Sequence, residues 1–312
     1  MSEVDFTTPI WLIAFYHFTG VTSIILNILG FYLLMWQNGK MGPFRYYLLN
    51  FQVVCAVLDI HLTILMQPVP LYPITAGYTV GVLDVVFGVP THYSYEVALL
   101  LICILLQVLI FCFYTKHQLL AQVLKKRVAP SFLSYLFLGV AVISNVSIVV
   151  GNEKQRLSKE EQWEYIKESY PEYLIRFHSL PSNFNIYKLT SVFYTMLLFG
   201  LISVFFLFFI FLFSIIDTVR MMMELKAKIS TVTYKKHQSA IRCLLVQACT
   251  SALCIGAPFL LMGGILMKID NQQKIAEILF CWFVSHSTIN NIGLFVFFPP
   301  YRKFFKTAFC KK

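Results

Sequence analysis

Asp59 and His61 sit in the run Leu58-Asp59-Ile60-His61-Leu62-Thr63, inside the apolar stretch 46–67. A carboxylate at the centre of a membrane helix costs about 2.5–3.5 kcal/mol on insertion scales, so it must face the interior of a bundle. There it could anchor a polar ligand, act as a polar switch, or close an interhelical hydrogen bond. Asp59 and Thr63 share a helical face, while His61, two positions on, points elsewhere. His286, Asn290 and Asn291 form a second polar group, with 286 and 290 one helical turn apart. It reads as packing or as part of a switch. Glu96, near the start of the third apolar stretch, lies at an interface or touches a ligand. Asp59, His61, Glu96 and His286 are therefore the candidate ligand-binding residues. Gln52, Gln107 and Gln247 read as hydrogen-bonding glue between helices.

Other chemistries lack their residues. There is no H-E-x-x-H helix and no phosphate-binding P-loop. No G-x-S-x-G elbow occurs, and no His/Cys/Asp/Glu set is picked out by metal-ligand spacing. Neither a cofactor nor a metal is expected, and the chain does not read as an enzyme. No pair of interrupted apolar stretches in matching halves suggests a transporter's inverted repeat.

The elements that must position these residues are seven apolar stretches, roughly 10–36, 46–67, 93–115, 131–150, 189–216, 239–266 and 276–298. Each is long enough to cross a hydrocarbon core of about 30 Å as a helix. The chain is 58% hydrophobic and holds 30 Phe in 312 residues, more apolar surface than a soluble domain of this size buries. The expected fold is an all-α membrane protein, a single seven-transmembrane helix bundle over 1–312.

Charge sets the expected orientation. Seventeen of the 25 Lys and Arg residues fall in segments 37–45, 116–130, 217–242 and 299–312, with only Asp217 and Glu224 opposing them. Cations resist translocation, so these segments should be cytoplasmic, with the N-terminus outside and the C-terminus inside. The net charge of +10 is then a topology signal, and no nucleic-acid partner is implied. Leu71–Pro90 is apolar but holds Pro73, Pro90, three glycines and Asp84. As an eighth span it would invert the basic loops, so it reads as an ordered outer loop or a partly inserted segment. The polar segment 151–188 is expected outside, as a compact cap. The outer loops contain no cysteine, so a staple between the third span and the second outer loop cannot be a disulfide.

The cytoplasmic side suits a docking partner. Lys125, Lys126, Arg127, Arg220, Lys226, Lys235 and Lys236 are the expected partner-facing cations, and they can equally hold anionic lipid. Pro258 deprives the sixth helix of a backbone hydrogen bond and marks a hinge. In the tail 299–312, Phe305 and Phe309 lie four apart among five cations, as in an interfacial amphipathic helix. Cys310 there is a possible palmitoylation point.

Several runs carry a resemblance: Pro9-Ile10-Trp11-Leu12-Ile13 with Tyr16-His17, Phe44-Arg45-Tyr46-Tyr47-Leu48-Leu49, and Asp59-Ile60-His61-Leu62-Thr63. The most specific are Gln67-Pro68-Val69-Pro70-Leu71-Tyr72-Pro73 and Pro300-Tyr301-Arg302-Lys303-Phe304. With these the chain resembles a nematode serpentine chemoreceptor, class I of the Str superfamily of seven-helix G-protein-coupled receptors. The resemblance implies a small-molecule ligand, a heterotrimeric G-protein partner and a place in the plasma membrane of a sensory cilium. The third span ends Phe113-Tyr114-Thr115-Lys116-His117 in place of the acid-Arg-Tyr lock of rhodopsin-like receptors, whose activation details do not carry over. The alternatives are a seven-helix ligand-gated channel, whose topology would be inverted, and a membrane transporter.

Overall fold

The structure is a computed structural model describing residues 4–37, 44–126, 128, 130–267, 271–298 and 301–302. Helix α1 (Ile10–Tyr32) starts after Pro9 and continues as a π-helical segment, Leu33–Gln37. Helix α2 (Arg45–Ile60) likewise passes into a π-helical end, His61–Met66. Gln67 stops it in the left-handed region (φ 46°) and donates its side-chain amide to Thr63 O at 2.8 Å. The chain enters strand β1 (Pro68–Pro70) at once.

β1 pairs antiparallel with β2 (Ala76–Thr79), in register Pro68 with Thr79 and Pro70 with Gly77. The two prolines fit because β1 is an edge strand and needs to donate on one side only. β2 also pairs with β3 (Asn185–Ile186), giving a three-stranded sheet in the order β1-β2-β3. Gly81 follows β2 where a Cβ would collide with the Leu65 carbonyl, so only glycine brings the chain back against the end of α2. One turn of helix, α3 (Val82–Val85), leads on to Pro90.

Helix α4 (Thr91–Val123) follows Pro90, and α5 (Ser131–Glu153) follows Pro130. Helix α6 (Lys159–Ser169) has a full capping box. Ser158 Oγ accepts from Glu161 N, and Glu161 Oε2 accepts from Ser158 N. A short helix α7 (Leu174–His178) follows. Val4, Val69, Leu71, Ile74, Tyr78, Ile166, Phe177, Phe184 and Ile186 form one buried cluster that binds the N-terminal segment, the sheet, α6 and α7 into a cap. The segment 71–90 is thus ordered as sheet and helical turn, and 151–188 contributes α6, α7 and β3 to the same cap.

Helix α8 (Ser191–Lys226) is N-capped by Thr190 and runs for 36 residues. Helix α9 (Thr231–Met267) returns alongside it. Helices α10 (Gln272–Val284) and α11 (His286–Phe297) meet at a 45° bend. At the break, Ser285 Oγ donates to Cys281 O at 2.8 Å, a local bond that competes with the helix ladder.

Among the described residues, α1 and α2 with their π-helical ends, α4, α5 and α9 are long and apolar enough to cross a membrane, and the α10–α11 pair passes the same test when its bent halves are taken as one span. The sequence of α8 is uncharged from Val192 to Ile216 and provides a seventh. Phe18, Ile25 and Ile28 on α1, Phe132, Tyr135 and Ile143 on α5, and Phe205, Phe209 and Phe213 on α8 are exposed. An apolar belt of this kind is stable against hydrocarbon, not water.

Candidate functional site

Polar side chains collect at three depths of the bundle. The middle layer joins α1, α2 and α11. Asn27 Nδ2 donates to Ser23 Oγ and Ser287 Oγ, both at 2.9 Å. Gln52 Nε2 donates to Asn27 Oδ1 at 2.6 Å and Asn291 Oδ1 at 2.7 Å. Asn291 Nδ2 returns to Asn27 Oδ1 at 3.1 Å. These side chains come together because α1 turns small residues toward its neighbours. A Cβ on Gly30 would sit 3.0 Å from Asn291 Oδ1, and one on Gly20 would sit 2.8 Å from Thr63 Oγ1.

Asp59 is buried at the edge of this layer with its carboxyl beside Ser23. Buried His61 faces α4, where its Nε2 meets Ser94 O at 2.9 Å. Buried His286 faces α9, its Nε2 3.0 Å from Ser251 Oγ. Asn290 is fully buried, and neither end of its amide has a hydrogen-bond partner; Gln247 Oε1 on α9 is in the same condition. Pro258 lies within the continuous helix α9. Asp59, Asn27, Gln52 and Asn291 therefore share one network, while His61 and His286 are held by other neighbours.

Glu96 belongs to the capped end. His92 Nε2 lies 3.8 Å from Glu96 Oε2 and 3.3 Å from Glu153 Oε2, bringing α4 and the end of α5 together. Asn152 Nδ2 is 3.4 Å from both His92 Nε2 and Glu96 Oε2, and His92 Nδ1 meets Tyr187 OH at 2.9 Å. In the sequence Glu96 stands alone as a candidate, and His92, one turn before it, is the visible signal of this cluster.

The basic end has its own ties. Lys116 is buried with its ammonium 4.9 Å from the Phe44 ring centroid and 3.1 Å from His237 Nδ1 on α9. His117 Nε2 lies 2.7 Å from Asp217 Oδ2 on α8. Beyond the apolar run of α8, Lys126 and Lys228 both grip Glu224, and their hydrogen bonds, that of Lys126 first, hold its carboxyl down at about 2. Lys126 is thus engaged with α8, whereas Lys125, Arg220, Lys226, Lys235 and Lys236 are exposed. Lys125 takes a left-handed backbone, φ 55°, at the turn that ends α4. Arg127, Cys310 and the tail beyond Arg302 lie outside the described residues.

Long apolar helices with an exposed apolar belt and a polar interior define an all-α, multi-pass membrane protein. The chain matches the family described as serpentine type 7TM GPCR chemoreceptor Sri over residues 2–305, and it belongs to that family. None of the curated proteins matches it in a sequence search. The resemblance to a nematode serpentine chemoreceptor is thereby confirmed, and the chain is a member of a receptor family, not an enzyme family.

Proposed function

We propose that this chain is a G-protein-coupled chemosensory receptor of the plasma membrane, in a sensory cilium, with its N-terminus outside and its C-terminus inside. Family membership supports the receptor class, and the concentration of cations at one end of the bundle supports the orientation. A small molecule binds the outer halves of the helices beneath the cap, with Asp59, His61, Glu96 and His286 as the polar groups it meets or displaces. The ligand shifts the bundle only by binding one arrangement more tightly than the other.

The observation that carries the mechanism is the set of ties at the basic end, Lys116 to His237 and His117 to Asp217, which hold α4 against α9 and α8. Parting them lets the inner half of α9 swing about Pro258 and opens a cleft lined by Lys125, Lys126, Arg127, Arg220, Lys226, Lys235 and Lys236. The heterotrimeric G protein docks there, and membrane lipid occupies the same basic collar at rest. The tail, with Cys310 as an acylation point, lies along the inner leaflet.

Two epitope tags test the orientation in cells, one after Lys312 and one within 151–188. The expected result is a protected tail and an accessible loop before permeabilisation; the reverse pattern overturns the reading in favour of a channel of inverted topology. Nucleotide exchange on a G protein in receptor-containing vesicles then tests coupling. Pro258→Ala should blunt ligand-driven exchange, and unchanged exchange removes the hinge.

A further inference from the structure

We propose that His92, Glu96 and Glu153 form a zinc site at the capped end of the bundle, joining the start of α4 to the end of α5. The three candidate ligand atoms, His92 Nε2, Glu96 Oε2 and Glu153 Oε2, lie within 4.8 Å of one another. Nε2 is 3.3 Å from Glu153 Oε2 and 3.8 Å from Glu96 Oε2. Tetrahedral zinc with N and O ligands at about 2.0–2.2 Å requires neighbouring ligand atoms about 3.4 Å apart, so the set closes on an ion with small side-chain rotations.

Each ligand is already aimed. In the tautomer that ligation requires, His92 Nδ1–H donates to the Tyr187 hydroxyl at 2.9 Å, and the Nε2 lone pair then faces the two carboxylates. The Asn152 amide, 3.4 Å from both His92 Nε2 and Glu96 Oε2, now spans the pair of atoms that a cation would bridge. Arg156 Nε holds Glu153 Oε1 at 2.9 Å and so turns Oε2 toward His92. Second partners of this kind orient metal-binding imidazoles and carboxylates. The electrostatics agree: two carboxylates flank a nearly inaccessible imidazole, with one guanidinium as the local counter-charge. The cluster is left with a net negative charge that favours a cation.

The mixed nitrogen and oxygen set suits zinc better than the hard alkaline-earth ions. Calcium and magnesium prefer all-oxygen cages, and imidazole with carboxylate suits a borderline ion. Three protein ligands leave the fourth position for water or for a donor atom of an incoming molecule. Mechanically, the ion would staple α4 to α5 and, through Tyr187, to the segment after β3. The described cysteines are all free and cannot make that connection as a disulfide. The inference does not depend on receptor signalling.

The test uses the full-length chain in lipid nanodiscs, stripped with a chelator and titrated with Zn²⁺ alone. Bound metal and the melting temperature are the two readouts. One zinc per chain is expected, with a higher melting temperature. His92→Ala should abolish both effects, and Glu96→Gln and Glu153→Gln should weaken binding by more than about tenfold. Tyr187→Phe should weaken it by about tenfold through the second partner. Glu153 is exposed, so Glu153→Gln keeps the metal-free melting temperature and separates lost binding from lost folding. Absence of bound zinc in the parent chain overturns the proposal. So does full zinc retention in the Glu96→Gln/Glu153→Gln double variant, or a Co²⁺ spectrum with a thiolate charge-transfer band, which would place the metal on cysteine.

Discussion

Lys116 on α4 donates from its ammonium to Nδ1 of His237 on α9, 3.1 Å away, and so fastens two helices at the basic end of the bundle. Hydrogen bonds to charged groups contribute about 1.5–3 kcal/mol, enough to shift a two-state equilibrium by tenfold or more. Lys116→Met removes the charge and keeps the apolar stem beside Phe44. Ligand-independent nucleotide exchange on the G protein should rise about tenfold in reconstituted vesicles. Exchange at the parent level would show that the tie does not restrain the bundle.

The middle layer should contribute to stability through its shared acceptor. Asn27 supplies bonds to Ser23, Ser287, Gln52 and Asn291 at once. Asn27→Ala removes one of two acceptors from each of the Gln52 and Asn291 amides, which keep Asn291 Oδ1 and Ser287 O, at a cost of about 0.5–1.5 kcal/mol for each bond lost. The melting temperature in nanodiscs should fall by several degrees. A parent-like melt would mean that water takes the place of the amide.

Gly30 and Gly139 separate packing from helix propensity. A Cβ on Gly30 enters the space of Asn291 and Gln52, whereas one on Gly139 meets nothing within 4 Å. Gly139→Ala should be neutral or stabilising by up to about 1 kcal/mol, because alanine is the better helix former. Gly30→Ala should destabilise by about 1–3 kcal/mol through overpacking. Parallel melts of the two variants check the contrast, and equal shifts would contradict it.

Much of this arrangement is legible in the sequence because membrane helices announce themselves by length and apolarity. Asp59, Asn290 and Asn291 stand out for the same reason: a polar group in such a run must turn inward. What stays hidden depends on partners far along the chain. His237 lies 121 positions from Lys116 and Glu153 lies 57 from Glu96, and no local spacing joins them. The sheet hides for another reason. Its strands are two to four residues long and β1 begins and ends in proline, so turn chemistry dominates the pattern.

The Glu224 tie between α8 and α4 is expected to withstand mild acid. Its carboxyl ordinarily titrates near 4.5 and is held here at about 2, chiefly by Lys126 and then Lys228. A group with a lowered folded pKa contributes stability above its ordinary value and loses it as the pH falls through the folded one. The tie should therefore stay constant between neutrality and about pH 5 and weaken only well below 4. Spin labels at Gln122 and Met223 should report an unchanged separation over the upper range, with Glu224→Gln lengthening it at every pH. A separation that grows on going from neutrality to pH 5 would contradict the assignment.

Gln107 is the polar fastening at the middle of α5, a helix that exposes most of its side chains. Its Nε2 donates to Asn145 Oδ1 at 3.1 Å and Ser144 Oγ at 3.0 Å, and Asn145 Nδ2 returns to Gln107 Oε1 at 3.2 Å. Lipid tails are as apolar as leucine, so little hydrophobic force presses α5 onto α4, and the amide pair carries an unusual share of the contact. Measured interhelical hydrogen bonds of this kind average about 0.6 kcal/mol, with about 1.7 as the upper end. Gln107→Leu should therefore lower stability by about 1 kcal/mol, and Asn145→Leu in the same chain should add little, because the pair is already broken. A double-mutant cycle of melting in nanodiscs measures the coupling. Strict additivity of the two changes would show that the Gln107–Asn145 pair does not fasten α5 to α4.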